Sequence, residues 1–114
     1  MLHYADVRPY EVIDDLSRLA GPATGTVVLP HHLKWLPTSE QRCVRLDTER
    51  RRIAYLSEVL QEAQADEDLI TYVNADLLIK LWPKLILAER CRQLWEEAHP
   101  RLAQRMLTFT SSPR

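Results

Sequence analysis

Leu77-Leu78-Ile79-Lys80-Leu81-Trp82-Pro83-Lys84-Leu85-Ile86-Leu87 is the stretch whose reading decides this fold. Asn74, just upstream, is a residue type that caps helices by accepting a backbone N–H with its side chain. Leu77, Leu78, Leu81 and Trp82 then recur at helical spacing and are expected to be buried. Pro83 has no amide hydrogen, and its ring clashes with the preceding turn, so the helix breaks or kinks there. The stretch carries more apolar surface than one short helix hides. The surplus must pack against the rest of a small domain or against another protein. Lys80 and Lys84 interrupt it, so it does not read as a membrane span.

Upstream, the spacing predicts two further helices. Asp47 or Thr48 caps the first, with Glu49 at its positive end and Ile53, Leu56, Val59, Leu60 and Ala63 as its apolar stripe. Asp66 caps a short second helix running through Leu69, Ile70, Tyr72 and Val73. Downstream, a last helix covers Ala88 to Ala98, with Cys91, Leu94, Trp95 and Ala98 on one stripe, and Pro100 limits it. Thr108 to Arg114 reads as a disordered polar tail, so the domain is expected over 1–107 and the tail over 108–114.

The N-terminal half reads differently. Arg8-Pro9-Tyr10 is expected to open a helix capped by Asp6, with Val12, Ile13, Leu16 and Leu19 at helical spacing, until Gly21-Pro22 stops it. Thr26-Val27-Val28-Leu29 reads as a short strand ended by Pro30, and Arg42-Cys43-Val44-Arg45-Leu46 as a half-buried one. The two are expected to pair as a long-looped hairpin, which needs a helix to cover it. The fold class is therefore α+β, mainly α: an N-terminal helix, a small two-stranded β-hairpin, then a helical C-terminal half.

Composition bounds the function. A chain of 114 residues makes one domain with little core to spare. The formal charge of -1 argues against a strong non-specific nucleic-acid binder. Met1 to Tyr10 lacks the apolar core of a signal peptide. Cys43 and Cys91 lie far apart and fit no metal or redox spacing, so they are read as reduced thiols of a cytoplasmic protein.

No catalytic signature is present. With only 2 glycines, no phosphate-cradling loop is available. No serine sits in a nucleophile elbow, and no histidine has an evident acidic orienter. His31 and His32 invite a metal site with the cysteines, but adjacent histidines in extended chain point to opposite faces. Asp66, Glu67 and Asp68 are read as a helix start, and Glu96-Glu97 as a solvated face. No enzyme activity, cofactor, metal or small-molecule substrate is expected.

Arg42, Arg45, Arg50, Arg51 and Arg52 form the one basic concentration. A solvated face is the first reading, a protein partner of opposite charge the second, and DNA the third. Of the tryptophans, Trp95 is read as core. Trp35 and Trp82, which border prolines in less regular segments, are read as partner contacts.

Several landmarks carry a resemblance. They are Val28-Leu29-Pro30-His31-His32-Leu33-Lys34-Trp35, Tyr55-Leu56-Ser57-Glu58-Val59-Leu60, Asn74 through Leu85, and Arg92-Gln93-Leu94-Trp95-Glu96-Glu97-Ala98-His99-Pro100-Arg101-Leu102. They are spread over residues 28–102, about two thirds of the chain. In these the chain resembles small actinobacterial antitoxins encoded beside a nucleotidyltransferase toxin of the AbiEii or MenT kind. The resemblance implies a type II antitoxin that neutralises, by direct protein binding, a toxin that modifies tRNA acceptor ends. The chain lacks the winged-helix DNA-binding domain of longer antitoxins in related systems, which puts operator binding in doubt. The expected partner contacts are Trp35, Arg42, Arg45, Arg51, Trp82, Leu85 and Ile86, so Trp82→Ala or Leu85→Ala is expected to weaken partner binding. A small DNA-binding transcriptional regulator is the alternative.

Overall fold

The computed structural model describes residues 10–110, with side chains placed through residue 107. Its elements are strands β1 (Thr26–Val28) and β2 (Cys43–Arg45), then helices α1 (Glu49–Glu62), α2 (Asp66–Tyr72), α3 (Ala75–Leu81), α4 (Glu89–Ala98) and α5 (Pro100–Thr110). This is an α+β fold in which a small hairpin precedes a helical C-terminal half.

The strands pair antiparallel with Thr26 opposite Arg45, Val27 opposite Val44 and Val28 opposite Cys43. The Leu29 amide donates to the Arg42 carbonyl at 3.1 Å and carries the ladder one residue further. Val27 and Val44 pack toward the core, while Val28, Cys43 and Arg45 face solvent. Gly25 enters β1 with a φ of 88°, a conformation that glycine adopts without a side-chain clash.

The expected N-terminal helix does not form within the described residues. Residues 10–15 are irregular, and only a 3-10 turn, Leu16–Arg18, follows. The start expected at Asp6 to Pro9 lies outside the described residues. The reason is tertiary. The Asp15 side chain accepts from the Ser17 amide and closes the short turn. The Ala20 amide then donates to the Ile70 carbonyl and the Gly21 amide to the Val73 carbonyl. A chain held extended at Ala20 cannot also continue a helix. Ile13 and Leu19 enter the core individually.

α1 forms as the spacing predicts. The Thr48 hydroxyl accepts the Arg51 amide at 3.1 Å, and Leu56, Val59, Leu60 and Ala63 are buried. Tyr55 joins them, its hydroxyl donating to the Tyr72 carbonyl at 2.6 Å. α2 is entered at Ala65, not capped by Asp66. Asp68 instead reaches back to accept the Gln64 amide at 2.9 Å. α3 carries the expected cap, the Asn74 side chain accepting the Leu77 amide at 2.9 Å. Pro83 ends it in a 3-10 turn, Trp82–Lys84.

The apolar surplus of 77–87 is largely absorbed by α4 and α5. Trp82 packs against Trp95, with ring centroids 6.4 Å apart, and Trp95 against His99 at 5.7 Å. Arg92 lies over the Trp82 ring and donates to the Trp82 and Leu85 carbonyls. Arg105 does the same for the carbonyls of Ile79 and Lys80 at the end of α3. These guanidinium groups satisfy helix-end carbonyls that have no partner inside their own helix.

α5 is a helix where none was expected. Pro100 ends α4 but then serves as the first residue of α5, a position where its missing N–H costs nothing. The helix runs to Thr110, so the tail expected over 108–114 begins helically, and its remainder lies outside the described residues. Leu102 is fully buried, and His99, held between the two helices, reaches the Ile13 carbonyl at 2.7 Å. A carbonyl only accepts, so Nε2 of His99 carries the hydrogen.

Candidate protein-binding face

α1 buries one side and leaves Arg50, Ala54 and Glu58 exposed or half-exposed on the other. These residues stand four apart, so they form one stripe along the helix. Two segments run beside it. On one flank, Lys34 Nζ pairs with Glu58 at 3.0 Å, and Trp35 Nε1 donates to Glu62 at 3.4 Å. On the other, the Ile86 amide donates to the Ser57 hydroxyl at 2.9 Å and the Ala88 amide to the Gln61 side chain at 2.8 Å. The stripe therefore lies between Trp35 and Ile86, which are 64% and 76% exposed.

Three open clefts border the stripe, and Ala54 lines each of them. One, of about 590 Å³, lies toward the hairpin among Lys34, Cys43, Arg45, Arg51 and Glu58. A second, of about 370 Å³, lies among Glu49, Arg50, Ile53, Lys84 and Ile86, and a third, of about 630 Å³, among Arg45, Asp47, Thr48, Arg50 and Arg51.

The electrostatics of this face are graded. Arg51 contacts both Asp47 oxygens, at 2.9 and 3.1 Å, and Arg45 approaches the same carboxylate at 3.6 Å. Desolvation works against the ionised Asp47, but the Arg51 hydrogen bond and the two arginine charges outweigh it and hold its pKa below the ordinary value. Lys84 donates to Glu49 at 2.7 Å, and that hydrogen bond and charge lower the Glu49 pKa. Arg50 forms no salt bridge among the described residues. One carboxylate thus serves two arginines while a third has none, and the N-terminal half of the stripe is net positive. Glu58 and Glu62 mark the other half.

The expected contact residues divide. Trp35, Arg45, Arg51 and Ile86 are exposed and border the same stripe. Arg42 is half-buried, with Nε on the Leu29 carbonyl and a terminal nitrogen on the Leu36 carbonyl, both at 2.8 Å, so it ties down the loop that presents Trp35. Trp82 and Leu85 are corrections: they are 0% and 4% exposed and offer a partner no surface. A tryptophan beside a proline resembles an irregular exposed segment in sequence. Here the turn at Pro83 directs the indole inward onto Trp95 and Glu96. Ala54 and Glu58 were not singled out from the sequence, and Arg50 only as part of the basic concentration. Their signal was available as the face opposite Leu56, Val59 and Leu60.

The other polar candidates are structural. His32 Nε2 lies 2.9 Å from Asp68 and joins the 30–36 loop to α2, and the His31 ring packs edge-on against Trp35. Among the described residues, no group of three or more His, Cys, Asp and Glu side chains is placed to hold a metal ion. No helix among them is long and apolar enough to cross a membrane. No protein-family model matches the chain, and neither a curated protein nor a solved structure shows significant similarity to it.

Proposed function

We propose that this chain is a protein-binding module. In this reading it acts as a cytoplasmic type II antitoxin, not an enzyme, and neutralises a tRNA-modifying nucleotidyltransferase toxin by direct contact. The observation that carries protein binding is the exposure of Trp35 and Ile86 on opposite flanks of one arginine-bearing helical stripe. Tryptophan and arginine dominate binding hot spots because each buries a large area and still satisfies polar atoms. The toxin as partner rests on the antitoxin-like landmarks, of which Lys34, Trp35 and Glu58 lie on or beside this face.

Co-expression with the product of the adjacent gene, followed by affinity capture and native mass measurement, tests this. A stable complex, with growth restored relative to the neighbour expressed alone, supports it. No complex and no rescue overturn it.

The DNA-binding alternative draws on Arg45, Arg50 and Arg51 at one end of the stripe. Asp47 and Glu49 stand among these arginines and repel phosphate, which weighs against it. Duplex affinity falling steeply with salt would favour it.

A further inference from the structure

The stripe on α1 differs at its two ends and carries a small exposed residue, Ala54, in the middle, and this restricts what lies on it. Ala54 is exposed, and the clefts on both sides of the helix open onto its methyl group. A small residue at a crossing point lets a second helix approach to the near end of the usual interaxial range of about 8–10 Å. Ile86 stands beside Ala54, wholly aliphatic and 76% exposed, as an anchor for apolar side chains of whatever crosses there. The cations lining these clefts are Arg50, which no carboxylate pairs among the described residues, Arg45 and Arg51, which share Asp47, and Lys34 and Lys84, which pair with Glu58 and Glu49.

We propose that the Ala54 saddle seats an acidic amphipathic helix of the protein partner. Its apolar side covers Ala54 and Ile86, and its carboxylates meet Arg50 and the Arg45–Arg51 pair. This rests on the protein-binding reading and adds the chemistry of the partner element. Charge complementarity argues for that occupant. A basic segment would meet surplus positive charge at Arg50, and a neutral one would leave Arg50 without a counter-charge. Nucleic acid fits less well, because Ile86 offers it nothing and Asp47 and Glu49 face its phosphates. Trp35, at the acidic end beside Glu62, fixes which way the helix runs: a cation on the partner's far end stacks on the indole.

The test uses the full chain and a displayed library of helices of about 18 residues, or five turns, with a fixed leucine stripe and glutamate or lysine free at the flanking positions. Ala54→Arg serves as the blocked control. Arginine is a strong helix former, so the exposed site accepts it without loss of fold, which circular dichroism and thermal melting check. Glutamate-rich survivors are expected. They should bind Ala54→Arg roughly tenfold or more weakly than the natural chain, and in NMR they should shift the amides of Arg50, Ala54 and Ile86. Lysine-rich survivors, survivors without charge preference, no survivors, or equal binding to Ala54→Arg would overturn the proposal. So would a short duplex DNA that shifts the same amides where the helices do not. These outcomes do not depend on the adjacent gene product. A chain that captures that product equally well as Ala54→Arg keeps the antitoxin reading and loses this one.

Discussion

The Trp82 indole donates to Glu96 Oε2 at 2.9 Å from a position with no exposed surface. One side chain thereby joins the 3-10 turn after α3 to the last turn of α4. Removing a buried aromatic side chain costs about 3–5 kcal/mol, a large share of a small domain's stability. Trp82→Ala is expected to lower the urea midpoint sharply, and Leu85→Ala to lower it by less. If both variants unfold like the natural chain, the packing described for 77–87 is wrong.

Trp35→Ala separates binding from folding. The side chain is 64% exposed and its one hydrogen bond is long, so its loss should change stability by about 0.5 kcal/mol or less. As a binding anchor it should cost about 2 kcal/mol in partner affinity, or roughly thirtyfold. Titration calorimetry on the captured complex reads the second effect, and thermal melting the first.

Gly21 is fixed by close approach. A Cβ there would overlap the Tyr72 carbonyl carbon and the Val73 nitrogen, both backbone atoms that cannot swing aside. The Gly21 amide also donates to the Val73 carbonyl at 2.8 Å. Gly21→Ala should therefore destabilise by about 1–3 kcal/mol, the usual range for overpacking. A melting temperature equal to that of the natural chain would refute the contact.

Asp68 links stability to acid. Burial opposes its ionisation, but the Gln64 amide and the His32 ring, each at 2.9 Å, outweigh it and hold its pKa below the ordinary value. A depressed folded-state pKa gives stability that is present above the unfolded value of about 4 and lost as pH falls through the folded one. Asp68→Asn should be less stable than the natural chain near neutrality. The gap between their urea midpoints should narrow as pH drops below about 4.

The cysteines should differ in reactivity. Cys43 is exposed on β2, whereas Cys91 is fully buried, with Sγ 3.9 Å from the Leu60 carbonyl. Burial pushes the Cys91 thiol up to about 11, partly countered by Arg92, so the thiolate that attacks electrophiles is scarce at neutral pH. Iodoacetamide should label Cys43 in the folded chain and Cys91 only on unfolding, as peptide mass mapping would read.

Local signals were legible in sequence where one residue's chemistry acts on its near neighbours. Thr48 and Asn74 cap their helices, the alternation of residues 42–46 marks a strand, and the stripe of α1 is buried as spaced from Leu56 to Ala63, with Ile53 half-buried at its start. Long-range competition was not legible. The Val12 to Leu19 spacing suits a helix, but backbone bonds from Ala20 and Gly21 to residues 70–73 hold the chain extended. Pro100 reads as a stop, and only the burial of Leu102 and the grip of Arg105 on α3 make it a start. Exposure along 77–87 also depended on the third dimension. Ile86 projects outward and Leu85 inward, and no periodicity separates two adjacent aliphatic residues.

Arg42 has a consequence for the speed and selectivity of recognition. By gripping the carbonyls of Leu29 and Leu36, it closes the span that carries Trp35 into a ring of its own. The disorder such a loop would otherwise surrender on meeting a partner is surrendered when the chain folds. Encounter then requires collision in the right orientation but no search by the loop, and a mismatched surface gains nothing from the loop adjusting to it.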